Sequence, residues 1–453
     1  MAKILLVNPL YDQNKREVQP YMPLGLMTLA TTIKDKGHEI IIHDREIDME
    51  DVQLLKLLKS FDPDIVGMNS YIGKSLLDLM KIAKLVKENS NAIVIVGGIL
   101  STVDPKPFLD YEHIDYVIRG EGELPLIEIS ELIDKKLLDF SHVKNINFNE
   151  IRPFVNLNDY KTPDYSLIKT DKYPIFTFIA GRGCHGKCSF CYNNFFWGKL
   201  DRSCLRFYNA KNTISMITDV IDKYNIKEFK ILDDDFISLS NRSKEICDAL
   251  SKYNASFQCQ LRTDMVHDEI MRRLKKAGCY SVMFGFESGS QRMLNFLNKG
   301  TTVDQSRIAI EQCKKYKIYC DGSYMIGLPT ETIHEMKETV NLIKKHPPST
   351  LTAKKYTPFP GTELFDYCVK NKLVDKNPET LEDYSLFEMS SPYPNVSNIP
   401  NEVLFETIKE LNKKSFKIYM KKITQLIKEG RYKYIINRIK KNIDEKLSGD
   451  IRR

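Results

Sequence analysis

Cys184, Cys188 and Cys191 stand within eight residues, in the run Gly-Arg-Gly-Cys-His-Gly-Lys-Cys-Ser-Phe-Cys. Thiolates are soft ligands, and three at this spacing can wrap one corner of an iron–sulfur cluster. A four-iron cluster takes four ligands, yet no fourth cysteine follows at a comparable spacing; the next is Cys204. Three ligands leave one iron open, and an open position marks a catalytic rather than a structural metal centre. Gly181, Gly183 and Gly186 let the backbone approach such a group closely. The same thiols could instead form a zinc knuckle with His185 as fourth ligand, or be unrelated. Zinc sites usually show two paired dyads, and here only Cys188 and Cys191 make one.

Alternating elements must position this loop. Residues 1–135 read as short Val/Ile strands separated by amphipathic helices, which predicts a doubly wound parallel sheet of the Rossmann or flavodoxin kind. Ligands on such sheets lie at the carboxyl ends of the strands. The loops there are Pro9–Met22, Ser70–Gly73 and Gly97–Thr102. Residues 136–172 are polar and proline-punctuated and read as a linker. Six strand-like segments then alternate with helices, at 174–180, 228–233, 256–261, 280–286, 318–326 and 349–356. Six βα units are too few for an eight-stranded barrel and predict a partial (β/α)6 TIM-like barrel. The cysteine loop follows its first strand. Residues 375–400 look irregular and 401–446 mainly helical. The expected division is 1–140, linker 141–172, barrel 173–375 and a helical C-terminal region 376–453 with a basic tail.

Further chemistry-bearing residues fall at the strand ends. Asp233, Asp234 and Asp235 are adjacent carboxylates that repel unless a cation is near; a solvated acidic turn capping the next helix is the alternative. Arg262 carries a planar guanidinium suited to a carboxylate, or to an ion pair with the 233–235 acids. Glu287 and Ser288 stand between Gly285 and Gly289, and Gly327-Leu328 ends an apolar strand.

The cysteine spacing, with Phe190 just before the last cysteine, resembles the radical S-adenosylmethionine enzymes. In that family the open iron chelates the amino and carboxylate groups of the methionine moiety, and the reduced cluster cleaves the sulfonium to a 5′-deoxyadenosyl radical. The resemblance implies a 4Fe-4S cluster on Cys184, Cys188 and Cys191. It implies S-adenosylmethionine bound near Phe190, Asp233, Asp234, Asp235, Arg262, Glu287, Ser288, Gly327 and Leu328. The family commonly has a Gly-Gly-Glu-like stretch where this chain has three aspartates, so which of them meets the amine stays open. The order of these motifs is similar to that of the cobalamin-dependent members.

The N-terminal sheet resembles their cobalamin-binding domain through Pro23, Leu24 and Gly25, Asp44, Ser70 and Tyr71, Gly97 and Gly98, with Glu121 in a Gly-Glu-Gly turn. The Asp-x-His-x-x-Gly signature of classical cobalamin domains is absent. The implied cobalamin is therefore base-off, without a histidine ligand, with Ser70 or Tyr71 toward its lower side. The alternative is a flavodoxin-like domain without the cofactor. The resemblance implies methyl transfer to an unactivated carbon or phosphorus centre. A radical cyclisation or rearrangement is the rival within enzymes, and a non-catalytic Fe-S redox or sensor protein the rival outside them. A methylthiotransferase is disfavoured, because residues 1–183 lack the cysteines of its second cluster.

At 453 residues and 42% hydrophobic content the chain suits a globular protein of two or three domains. No apolar run spans a membrane, and all ten cysteines follow residue 183, so a reducing cytoplasm is expected. Residues 411–453 carry 14 Lys and Arg against four Asp and Glu, and the remainder is slightly acidic. Nucleic acid is thus not expected as a partner. A small-molecule or natural-product substrate and an electron donor such as flavodoxin or ferredoxin are. Phe416, Tyr419, Ile423, Leu426 and Ile427 form a stripe expected to pack on the barrel.

Overall fold

A computed structural model describes residues 1–11, 20–193, 196, 205–237, 240–374, 377–387 and 394–428. Strands β1 (Lys3–Asn8), β2 (Glu39–Asp44), β3 (Ile65–Ser70), β4 (Ile93–Gly98) and β5 (Tyr116–Val117) form one parallel sheet in the order β2-β1-β3-β4-β5. Parallel neighbours require crossovers, supplied by helices Leu24–Asp35, Asp51–Phe61 and Ser75–Asn89 and, between β4 and β5, by the short helices Ile99–Val103 and Lys106–Leu109; helix Glu123–Asp134 follows β5. Leu5 and Val7 pack in one core, and Ile4 and Leu6 in the other. Both faces are covered, which is why these strands are apolar throughout rather than alternating. Chain order reverses between β1 and β3, so the switch point lies beside the loops after Asn8 and Ser70.

The second sheet starts with β6 (Phe176–Phe178). Two short strands, β7 (Gly181–Arg182) and β8 (Arg206–Phe207), then pair antiparallel. β9 (Glu228–Ile231), β10 (Ser256–Gln260), β11 (Cys279–Glu287), β12 (Tyr319–Ile326) and β13 (Thr350–Lys355) complete a six-stranded sheet. Its order is the chain order, with β6 and β13 at the edges. All the neighbouring strands pair in parallel. This is the expected α/β architecture of a doubly wound sheet followed by an open six-stranded barrel-like unit. The helix starts are well specified: Thr302 with Gln305, and Thr332 with Glu335, each form a reciprocal capping box.

Three segments differ from the sequence reading. Residues 136–149 are not a solvated linker: Phe140, Val143 and Ile146 are buried in the first unit's core. Asn147 N donates to Val117 O (2.7 Å) and its Oδ1 accepts from Val117 N (3.0 Å), covering the two-residue edge strand β5. Residues 380–387 return to the first unit, where Leu381 and Tyr384 join its core. Helix Asn401–Lys428 packs along β13; Tyr419 and Ile423 are buried, but Phe416 is half-exposed and leaves the expected stripe. Leu426, Ile427 and the basic tail from 429 lie outside the described side chains. Among the described residues, no helix is long and apolar enough to cross a membrane.

Candidate active site

The cysteine loop leaves the carboxyl end of β6 and is stitched to the barrel. Ser189 N donates to Leu297 O (2.9 Å), and Leu364 N to Ser189 O (2.9 Å). Cys188 is buried, and Cys184 and Cys191 are half-buried. Gly186 N donates to Cys184 Sγ (3.3 Å). A Cβ on Gly186 would lie 2.5 Å from Arg262 Nη1, so glycine is what allows Arg262 to rest against the loop. Burial raises the Cys184 thiol and pushes that of Cys191 up to about 12, with Cys188 and Cys184 adding to the Cys191 shift. Metal binding must therefore displace protons from these thiols. Cys204 lies outside the described residues.

The residues fit a cluster better than a single ion. Among the described residues, no three His, Cys, Asp or Glu side chains converge on a point that one ion could fill. His185 Nδ1 lies 2.6 Å from Asp235 Oδ2, which turns it away from the role of fourth zinc ligand. A four-iron cluster spreads its thiolates over separate irons, and three thiols on one loop, flanked by cations, supply that.

The three aspartates have separate surroundings. Asp233 accepts from Ala180 N (2.6 Å), and burial pushes its carboxyl up to about 7. Asp235 is buried against His185. Asp234 alone is open to solvent, although crowding by protein still pushes it up to about 6. Arg262 does not pair with these acids. Its Nε and Nη2 hold Asp264 at 3.1 and 2.9 Å, and Nη2 donates to Lys299 O (3.0 Å).

Lys299 is absent from the sequence reading, because a lysine in a Leu-Asn-Lys-Gly turn carries no periodic signal. Its Nζ lies 3.0 Å from Glu287 Oε1 and 5.7 Å from the Phe190 ring centre, joining the end of β11 to the cysteine loop. Glu287 occupies left-handed backbone (φ 61°). Ser288 is fully buried, with its hydroxyl 3.2 Å from that of Thr339 and accepting from Ser290 N, so it knits the loop together. Gly327 N and Leu328 N both donate to Glu331 Oε2, at 2.6 and 3.1 Å. Burial pushes Glu331 up to about 7.

At the first sheet's carboxyl edge, Ser70 Oγ donates to Gly97 O (3.0 Å) and accepts from Ser101 N (3.1 Å). Gly98 (φ 111°) passes so near that a Cβ would lie 2.9 Å from Ser70 N and O. Tyr71 is exposed, and the Cβ position of Gly25 faces open space. Pro23 precedes helix Leu24–Asp35, and Leu24 packs into the second unit's core. Asp44 is committed to Asn8 Nδ2 (2.8 Å) and the Tyr173 hydroxyl (2.5 Å). Glu121 is also committed, both oxygens being taken by Arg182, Arg206 and Val155 N, so its carboxylate joins the two units rather than facing a cofactor. His38 accepts from Ala2 N at the sheet's amino end, and burial lowers His43 to about 4. Residues 12–19 of the first loop lie outside the described residues.

A three-thiol loop on an open parallel barrel, beside a doubly wound sheet, defines a class of two-cofactor radical enzymes. Comparison with known proteins agrees. Residues 18–130 match the B12 binding domain family, and residues 178–343 match the Radical SAM superfamily. An uncharacterized methyltransferase, PH0819, of Pyrococcus horikoshii is 31% identical over 393 residues, 83% of this chain and 84% of the relative. The anaerobic magnesium-protoporphyrin IX monomethyl ester cyclase of Rubrivivax gelatinosus is 25% identical, over 80% of this chain and 69% of the relative. The structure of the radical S-adenosylmethionine methyltransferase TsrM from Kitasatospora setae, with cobalamin and [4Fe-4S] cluster bound, superposes with TM-score 0.69 at 15% identity. It covers 85% of this chain and 81% of that one, and shows a shared fold. The chain belongs to the radical S-adenosylmethionine superfamily and carries its N-terminal B12-binding domain.

Proposed function

We propose that this enzyme transfers a methyl group from S-adenosylmethionine, by way of a corrinoid, to an unactivated carbon or phosphorus centre of a small molecule. The observation that carries this reading is the half-open site: three thiols on one loop, Arg262 against that loop, and Asp234 the one open carboxylate of its triplet. When bound, the cluster supplies the electron that cleaves the sulfonium, and the corrinoid supplies a methyl carrier. Cys184, Cys188 and Cys191 hold the cluster. Asp234 accepts a hydrogen bond from the cosubstrate amine, and Arg262 faces its carboxylate through Nη1. The Glu287–Lys299 pair fixes Phe190 and with it the loop. Among the described residues, the buried hydroxyls of Tyr192 and Tyr356 have no hydrogen-bond partner, and we assign them to the substrate side. An electron-donor protein reduces the cluster.

The test is anaerobic reconstitution with iron, sulfide and hydroxocobalamin, followed by assay for 5′-deoxyadenosine and for methyl label passed from S-adenosylmethionine to the corrinoid. A radical cyclase, the reading favoured by the name of the Rubrivivax relative, predicts 5′-deoxyadenosine without methyl label in any product. Electron paramagnetic resonance of the Co(II) form should lack nitrogen splitting, since His43 is buried within β2 and His38 sits at the amino end of the sheet.

A further inference from the structure

The cysteine loop is closed at its base by one residue pair of the β7–β8 ladder, and that pair is Arg182 opposite Arg206. Like charges directly across a ladder repel, so this closure is unfavourable on its own. Two carboxylates of the first unit compensate it. Glu121 lies in the turn after β5, and Glu123 opens helix Glu123–Asp134. Arg182 binds Glu121 through Nη1 and Glu123 through Nη2 (2.5 Å). Arg206 holds both oxygens of Glu121, at 2.8 and 2.9 Å, and its Nη1 also donates to Val155 O (2.6 Å). Arg206 further stacks on Phe154, 4.4 Å from the ring centre. Both glutamates are under a tenth exposed. Burial opposes the Glu121 charge, but Arg182 and Arg206 outweigh it and hold its pKa below the usual range.

We infer that Glu121 and Glu123 are positioning residues: by neutralising Arg182 and Arg206, they make closure of the cysteine loop conditional on docking of the first unit. Gly183 and Cys184 follow Arg182 directly, so the same pairs register the cysteines against the carboxyl edge of the first sheet. The inference rests on the proposed function only for its catalytic consequence. Transfer between groups held on two units depends steeply on their register; a misplacement of about 1 Å can cost about 100-fold.

Hydrogen exchange on the protein without cofactors tests the lock independently of that reading. Glu121→Gln leaves one guanidinium unbalanced, so exchange should rise in 179–193 and 205–209 while β10 and β11 stay protected. Adding Arg206→Met removes the surplus charge and should restore protection, a rescue that mere loss of packing does not predict. If Glu121→Gln does not accumulate, Glu123→Gln with and without Arg182→Met is read the same way. In the reconstituted enzyme, Glu121→Gln should lower methyl transfer to corrinoid at least tenfold more than 5′-deoxyadenosine release. Unchanged exchange in both segments, no rescue by the second substitution, or a proportional fall of both reactions would overturn the lock. A wild-type protein that cleaves no S-adenosylmethionine would sink the proposed function and leave the exchange result standing.

Discussion

Single side chains at the site differ sharply in how far the chain has already committed them. Cys184, Cys188 and Cys191 share one loop, and replacing any one with Ala should strip iron from the reconstituted protein and abolish 5′-deoxyadenosine release. Bound iron and the charge-transfer absorbance measure it, and full release from Cys188→Ala would refute the cluster assignment. Asp234 is the open carboxylate, and Asp234→Asn should raise the apparent S-adenosylmethionine dissociation constant about tenfold, on the scale of one charge-assisted hydrogen bond. An unchanged constant by equilibrium dialysis would move the amine site elsewhere. Glu331 is a different case. Burial raises its folded pKa to about 7, above the unfolded value. Its contribution to stability is then complete below the unfolded pKa and is lost as pH rises through about 7. A shift of this size corresponds to roughly 2–4 kcal/mol. Glu331→Gln keeps an acceptor for Gly327 N and Leu328 N but cannot ionise. The variant should gain on wild type as pH rises from 5 to 8 in thermal melts of the cofactor-free protein. A pH-independent difference between the two would show that folding leaves the Glu331 pKa at its unfolded value.

At the scale of elements, glycine placement reports which turns are fixed by contact. Gly98 combines φ 111° with a Cβ position 2.9 Å from Ser70 backbone atoms, so Gly98→Ala carries both strain and overlap. It should destabilise the first unit by about 1–3 kcal/mol, read as a lower denaturation midpoint, while Gly25→Ala, with open space at its Cβ, should not. These elements also show what a sequence can reveal. The long parallel strands and their helices were legible because apolar runs and helical periodicity are local signals. So was the cysteine loop, whose ligand types and spacing are themselves the chemistry. The β7–β8 ladder was not, since two-residue strands carry no period, and their pairing depends on Glu121 and Glu123 about 60 residues upstream. Lys299 was hidden for the same reason: its meaning comes from Glu287 and Phe190, which only the fold brings near. Glu121 was readable as a turn residue at a ligand edge, but its two arginine partners give it another task.

The whole molecule is threaded so that neither unit is covalently or energetically separable. The chain builds the first sheet, passes through the six-stranded unit, returns with residues 380–387 to the first, and goes back with helix Asn401–Lys428 to β13. The returning segment is anchored at both ends of its contact. Leu381 and Tyr384 enter the core beside helix Ser75–Asn89. The Tyr384 hydroxyl donates to Asp104 Oδ2 (2.9 Å), and its carbonyl accepts from Gly73 N (3.2 Å). Gly73 and Asp104 flank the loops at the carboxyl edge of the first sheet, so this strap fixes the edge as well as the core beneath it. Leu381 is almost fully buried, and truncating a buried leucine costs about 2–5 kcal/mol. Leu381→Ala should therefore lower the stability of the entire protein, not of a C-terminal appendage, and the cofactor-free chain should unfold in one cooperative transition in both forms. A chain ending at residue 374 should lose hydrogen-exchange protection in helix Ser75–Asn89, some 300 residues from the cut. Retained protection there would mean that the strap rests on the first unit without supporting it.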